Sequence, residues 1–212
     1  MQLRRNRSTR ALWDPNYVDE TWINDKVRLI PRLKQWVAPY FTDTPVGITE
    51  YSWGAENHIN GATAQADVLG IFGREGLDLA ARWTVPPTGS PTFKAIQMYR
   101  NYDGNKSTFG DKSVSATAPN PDSLSAFAAA RSMDGALTIM VINKALTGTM
   151  PVSLALTNFT EAGSAQVWQL GSGNTISHLA EISSKGGNLS STLPAQSITL
   201  FCRAGENEAM MF

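Results

Sequence analysis

The stretch Val46–Trp83, VGITEYSWGAENHINGATAQADVLGIFGREGLDLAARW, decides the fold. PVGITEY reads as a short strand that ends on a carboxylate, Glu50, hemmed in by Tyr51 and Trp53. GATAQADVLGIFGREG then has helical spacing and closes on Gly76, and LDLAARW reads as a second strand ending at Trp83. Strand, helix and strand joined by short loops argue for parallel strands wrapped by helices, in a barrel or an open sheet. Chemistry in both architectures gathers at the carboxyl ends of strands, which here are Glu50 and Trp83.

The flanks extend this pattern. ETWINDKVRLIPRLKQWVAPYF places Trp22, Ile23, Val27, Ile30, Leu33, Trp36 and Val37 at helical spacing, so it reads as an amphipathic helix kinked at Pro31 with Trp36 in the core. SPTFKAIQMYRNY reads as a helix with Ser90 as N-cap and Pro91 at its first position. The order is αβαβα. Beyond Asn105 the texture changes to short strands between turn signals: SVSATAP, LSAFAAARS, ALTIMVINK, MPVSLALTNF, AQVWQLGSG and QSITLFCRA, with SSKGGNLSS as a loop. That half reads as an antiparallel sandwich. The expected fold class is therefore α/β plus all-β, in three stretches: 1–104 carrying β/α units, 105–204 forming a β-sandwich, and a tail at 205–212.

With 212 residues, 42% of them hydrophobic, the chain is long enough to bury a sizeable core. Basic and acidic residues balance at 18 each, which gives no pull toward nucleic acid or an anionic membrane. The cluster Arg4, Arg5, Arg7 and Arg10 reads as a solvated helix face or a frayed terminus. Cys202 is the single cysteine, expected in a buried strand, so no internal disulfide forms. No run approaches the roughly 18 apolar residues of a membrane span, and the first residues lack the apolar stretch of a secretory signal.

Most chemistries fail on spacing. The glycines of GIFGREG lie late in a helix, not between a strand and a helix start, so they cradle no phosphate. His58 and His178 lie far apart and no paired metal spacing exists, so no metal or cofactor is expected, although a weak calcium site at loop aspartates stays open. No Gly-x-Ser-x-Gly turn supports a serine triad. His178 reads as a surface residue among turns, whereas His58, in the loop after Glu50, is a candidate ligand contact. What remains is a carboxylate at a strand end among flat aromatic faces. Acetal hydrolysis needs such a carboxylate, a second carboxyl group as acid, and platforms for sugar rings. Trp13, Trp22, Tyr51, Trp53 and Trp83 are candidate platforms, and the pattern alone leaves core packing as the competing reading.

The segments STRALWDPNYVDETWIND, LIPRLKQWV, GITEYSWGAENHINGATAQADVLGIFGREGLDLAARW and MYRNYDGNKSTFGD closely resemble glycoside hydrolase family 44, over Ser8 to Ala204. Members of that family are secreted endoglucanases acting on β-1,4-glucans, some also on xylan or xyloglucan. The resemblance implies the C-terminal portion of an eight-unit β/α barrel followed by a β-sandwich, and a retaining mechanism. It makes Glu50, in the ITEY motif closing the seventh barrel strand, the nucleophile. Trp83 would be the floor at the cleavage point, with Trp22 and Trp13 in neighbouring subsites. The family's acid/base glutamate has no matching position here, and Glu20, Glu56 and Glu75 sit in no matching motif. Two parallel strands cannot close a barrel, so the chain is expected to be a fragment: one segment of a split or processed enzyme, a truncated reading frame, or part of a larger assembly in which other polypeptide supplies strands one to six. Three functions stay open: the nucleophile half of an endoglucanase, a non-catalytic sugar-binding module, and a structural remnant.

Overall fold

A computed structural model describes residues 1–157, 163–184 and 187–205. The chain opens with helix α1 (Gln2–Ser8), extended by a 3₁₀ turn (Thr9–Leu12), and α2 (Leu29–Val37). Strand β1 (Gly47–Tyr51), α3 (Ile59–Arg74), β2 (Leu79–Arg82) and α4 (Pro91–Arg100) follow, and β1 pairs with β2 in parallel, as the crossover pattern predicts. The second half is antiparallel: β3 (Lys112–Val114), β4 (Leu124–Ala130), β5 (Leu137–Asn143), β6 (Met150–Ala155), β7 (Ser164–Leu170), β8 (Ile176–Ser183), β9 (Asn188–Leu193) and β10 (Ser197–Arg203). Six of these form one sheet in the order β3-β4-β5-β10-β7-β8, and β6 pairs with β9 in a separate ribbon.

The central strands explain the apolar runs of the sequence. Every residue of β5 and β10 is buried because both faces of the sheet are covered. Met140, Ile142, Ile198 and Leu200 point toward a core shared with α3 and α4, through Ala62, Ala66, Ile71 and Met98. Ile139, Val141 and Phe201 point the other way, into a second core completed by Val152, Leu189 and Leu193 of the β6–β9 ribbon. The large sheet thus has helices on one face and a ribbon on the other.

Helix α3 is the pivot between the halves. Twelve of its residues are buried, which suits a helix packed all round. Two glycines make its close approaches feasible. A Cβ at Gly61 would stand 2.1 Å from the Ala55 carbonyl oxygen, and one at Gly70 would stand 2.2 Å from the Phe127 ring. A buried ion pair joins α3 to the sheet: Lys144 Nζ, just past β5, donates to Asp67 Oδ2 at 2.8 Å, and Thr9 donates to the same oxygen at 2.6 Å. From α1, Asn6 caps the Lys144 carbonyl at 2.7 Å.

Several expectations need correction. The long helix expected over 20–41 shrinks to Leu29–Val37. Side chains upstream bind the backbone locally, Asp19 accepting from the Thr21 amide and Asp25 from that of Lys26, and Asn24 and Arg28 adopt positive φ. Such short-range bonds compete with helix formation. Pro31 consequently sits in the first turn of α2, where its missing N–H costs nothing, and kinks nothing. Trp36 is not core but 63% exposed, on the side of α2 away from the buried Ile30. The basic cluster is not merely solvated. Arg5 donates to the Trp53 carbonyl and Asn60, Arg7 pairs with Glu20, and Arg10 pairs with Asp14 and Asp122. β8 was not legible, and residues 188–191 of the supposed SSKGGNLSS loop belong to β9. His178 is exposed as expected, but on β8, its ring stacked 4.4 Å from that of Trp168. Cys202 is buried in β10. Residues 206–212 of the expected tail lie outside the described residues.

The pair Lys144–Asp67 is fully desolvated, so cutting one partner strands a buried charge. Asp67→Asn should lose about 3–5 kcal/mol in urea unfolding. The double variant Asp67→Leu/Lys144→Met should recover most of that loss, because no charge is then buried alone.

Candidate active site

The site is built at the carboxyl ends of β1 and β2. In the β1–β2 pairing Ile48 faces Ala80 and Tyr51 faces Arg82, so three steps on β1 match two on β2. One extra residue is therefore inserted between Ile48 and Tyr51. Regular alternation would put Ile48 and Glu50 on one face and Tyr51 on the other. The bulge instead turns Ile48 and Tyr51 together toward the core beneath the sheet, while Thr49 and Glu50 both stand exposed on the open face. Bulges re-aim side chains in this way beside active sites.

Tyr51 is locked below. Its ring packs edge-on against Phe72 of α3 at 5.1 Å, and its hydroxyl oxygen accepts from Gln65 Nε2 at 3.0 Å. Burial pushes its phenol up, so it stays neutral. Its carbonyl accepts the Trp83 amide at 2.8 Å, which ties the end of β2 to the end of β1. The indole of Trp83 is 62% exposed beyond that bond, and the Trp83–Thr84 peptide is cis.

Arg82 lies beneath this rim with its side chain buried. It donates from Nε to Gln65 Oε1 at 2.9 Å, from one terminal nitrogen to Glu56 at 2.7 Å, and from the other to the Thr84 carbonyl. The hydrogen bond from Arg82 holds the Glu56 carboxyl below its ordinary value. Sequence reasoning missed both Arg82 and Gln65. The signal was a polar residue in each of two otherwise apolar runs, LDLAARW and GATAQADVLG, where a buried polar group implies a partner.

The other candidates divide. Trp53 is half-buried, its Nε1 donating to Ser8 Oγ at 2.9 Å, and it lies 6.4 Å from the Tyr51 ring. Ser52 and Trp53 line a groove of about 710 Å³ with Thr21 and Ile23, which flank the 92% exposed Trp22. Trp22 therefore stands on a segment sharing that groove with the loop after β1. His58 caps α3, its Nδ1 accepting the Asn60 amide at 2.9 Å, and it lines a second groove with Pro87 and Asn174. Trp13 is not brought to the group. It packs on the core with the Arg74 guanidinium 4.3 Å over its ring, at the end of α3 opposite the loop that follows Glu50. Glu20 pairs with Arg7, Glu56 with Arg82 and Glu75 with Arg74, whereas the Glu50 side chain makes no hydrogen bond or ion pair among the described residues. Among those residues no group of three or more histidine, cysteine or acidic side chains is placed to hold a metal.

No family model matches the chain. Endoglucanase A of Paenibacillus lautus is 34% identical over 200 residues, covering 91% of this chain and 29% of that protein. A bifunctional glucanase-xylanase protein from a metagenome library has a solved structure that superposes with a TM-score of 0.95 at 69% identity, over 97% of this chain and 40% of that one. A xyloglucanase of Paenibacillus polymyxa, from glycoside hydrolase family 44, superposes with a TM-score of 0.88 at 31% identity, over 96% of this chain and 41% of its own. The chain thus spans well under half the length of these relatives.

The Glu56–Arg82 pair gives a pH prediction. A carboxyl whose folded value is depressed contributes stability above its unfolded value and loses it as pH falls through the folded one. The thermal stability gap between the wild type and Glu56→Ala should stay constant from neutral pH down to the ordinary carboxylate range, about 4, and close only in stronger acid. Thermal melts across that range check the sign.

Proposed function

The chain belongs to glycoside hydrolase family 44, spanning about two fifths of the longer structures it matches, and from that premise we propose that it carries the nucleophile of a retaining endo-β-1,4-glucanase. Glu50 attacks the anomeric carbon as the glycosidic C–O bond breaks and the leaving oxygen takes a proton from the acid/base carboxyl group of the completing polypeptide. That group, now a carboxylate, deprotonates the water that cleaves the glycosyl-enzyme ester, freeing Glu50 and releasing the sugar with retained configuration. Trp83 is the platform beneath the reacting sugar, Tyr51 fixes the strand end from below, and Trp53, Trp22 and His58 contact neighbouring sugars. Trp13 stays outside this reading, because it is packed at the far end of α3. The single observation that supports it best is the bulge in β1, which presents the Glu50 carboxylate on an open face with no partner among the described residues, while the other nearby glutamates are committed to arginines.

The same reading takes β1 and β2 as the last two strands of an eight-stranded barrel in the C-terminal part of the enzyme, with residues 105–204 as an accompanying β-sandwich. Parallel strands are normally covered on both faces, and here Thr49, Leu79 and Ala81 are exposed. That face is the inner wall of the barrel, closed by strands from further polypeptide, which also brings the acid/base carboxyl group. The substrate is a soluble or fibrous β-1,4-glucan, with xylan and xyloglucan as further candidates from the relatives' activities. A polymer of this kind does not enter cells, so the setting is extracellular, and no helix among the described residues is long and apolar enough to cross a membrane.

The test is a chimera in which this chain replaces the matching part of the 69%-identical glucanase-xylanase. The chimera should release reducing ends from β-glucan, and Glu50→Gln should cut kcat by roughly 10³-fold or more with little change in KM. Full activity in the Glu50→Gln chimera would remove Glu50 from the chemistry. Binding of gluco-oligosaccharides without turnover in the unsubstituted chimera would favour a sugar-binding module instead.

A further inference from the structure

We infer that Arg82 is a positioning residue that sets the Trp83 platform against Glu50, an assignment that rests on reading those two side chains as the sugar-contacting pair. Arg82 touches no substrate. Its guanidinium is one rigid plane whose donors reach three segments at once: Gln65 on α3, Glu56 in the loop between β1 and α3, and the Thr84 carbonyl immediately after Trp83. Each contact constrains one side of the rim. Gln65 passes the constraint to Tyr51, whose hydroxyl it holds at 3.0 Å, and so to the bulge that aims Glu50. The Thr84 carbonyl fixes the backbone on the far side of Trp83, while the Trp83 amide is held by Tyr51 from the near side. Glu56 fixes the loop that separates β1 from α3.

The indole of Trp83 has little else to restrain it. It is largely exposed and makes no ring contact with another aromatic side chain among the described residues. Its orientation therefore depends on the backbone on either side of it, and Arg82 is the side chain that links those anchors to the strand bearing Glu50. Lysine cannot replace this geometry, because an ammonium on a flexible stem reaches one or two of the three acceptors and not the plane of all three.

The assignment is tested on the intact 212-residue chain with its six tryptophans replaced by 5-fluorotryptophan and observed by fluorine NMR, each line assigned by single substitution. The wild type should give one sharp Trp83 line. In Arg82→Met that line should broaden or split while those of Trp13 and Trp168, half-buried against the core, stay in place. Arg82→Lys should fall between. Should Arg82→Met fail to fold, Glu56→Ala and Gln65→Ala each remove one arm and should each broaden Trp83 in part. A Trp83 line unchanged in all variants that fold overturns the proposal. Adding cellopentaose separates the inference from the reading beneath it. A shifted wild-type Trp83 line, with about 10-fold weaker binding in Arg82→Met, is expected. A Trp83 line that ignores the sugar yet still broadens in Arg82→Met would retain the positioning and remove the sugar platform. A sugar-induced shift with equal affinity in wild type and Arg82→Met would overturn the positioning of the sugar site by Arg82.

Discussion

One inserted residue between Ile48 and Tyr51 governs the site. A strand is a two-fold object, and adding a single residue exchanges the faces of everything beyond it. In regular register Glu50 would point into the packed core beneath the sheet, and Tyr51 would stand in the open. The bulge exchanges them, giving a carboxylate without a side-chain partner among the described residues above and a neutral phenol bound to Gln65 and packed on Phe72 below. Everything proposed about catalysis follows from that exchange.

A bulge weakens its own ladder and must be held from outside. The holding comes from α3, which supplies Phe72 and Gln65 on the side facing β1 and packs its opposite side on β4, β5 and β10. The sheet in the second half of the chain is therefore the rigid backing of the helix that supports the bulge. The Asp67–Lys144 pair and the contact of Gly70 with the Phe127 ring fix α3 on that backing in position and in depth. Function at one end of β1 thus draws on a core that continues without a break into the antiparallel half.

The parts of this arrangement visible in the sequence were those carried by period and punctuation. β1, α3, β2 and α4 were legible because apolar spacing changes at Gly76 and Ser90, and both residues do what their chemistry predicts: Gly76 takes a positive φ past α3 and Ser90 caps α4. Glu50 was legible as a carboxylate on a strand end. The bulge was not, because GITEY reads equally well in either register. The segment 20–28 misled because its apolar residues recur at helical spacing while Asp25 within it and Asp19 just before it bind nearby amides and break the helix. Trp13, Trp22 and Trp36 show the same limit from another side. Indole chemistry does not say whether a ring is core, platform or bare surface, and these three fall against the core, beside the groove and on an open helix face.

The most direct measurement of the central claim is to trap the glycosyl-enzyme. A 2-deoxy-2-fluoro-cellobiosyl fluoride glycosylates a retaining nucleophile with loss of the anomeric fluoride. Fluorine at C2 destabilises the oxocarbenium-like transition states of both steps, but the good leaving group keeps formation faster than release, so the ester accumulates. Incubated with the chimeric enzyme, digested and sequenced by mass spectrometry, the label is predicted on the carboxylate of Glu50. A label on any other residue of this chain would contradict the account.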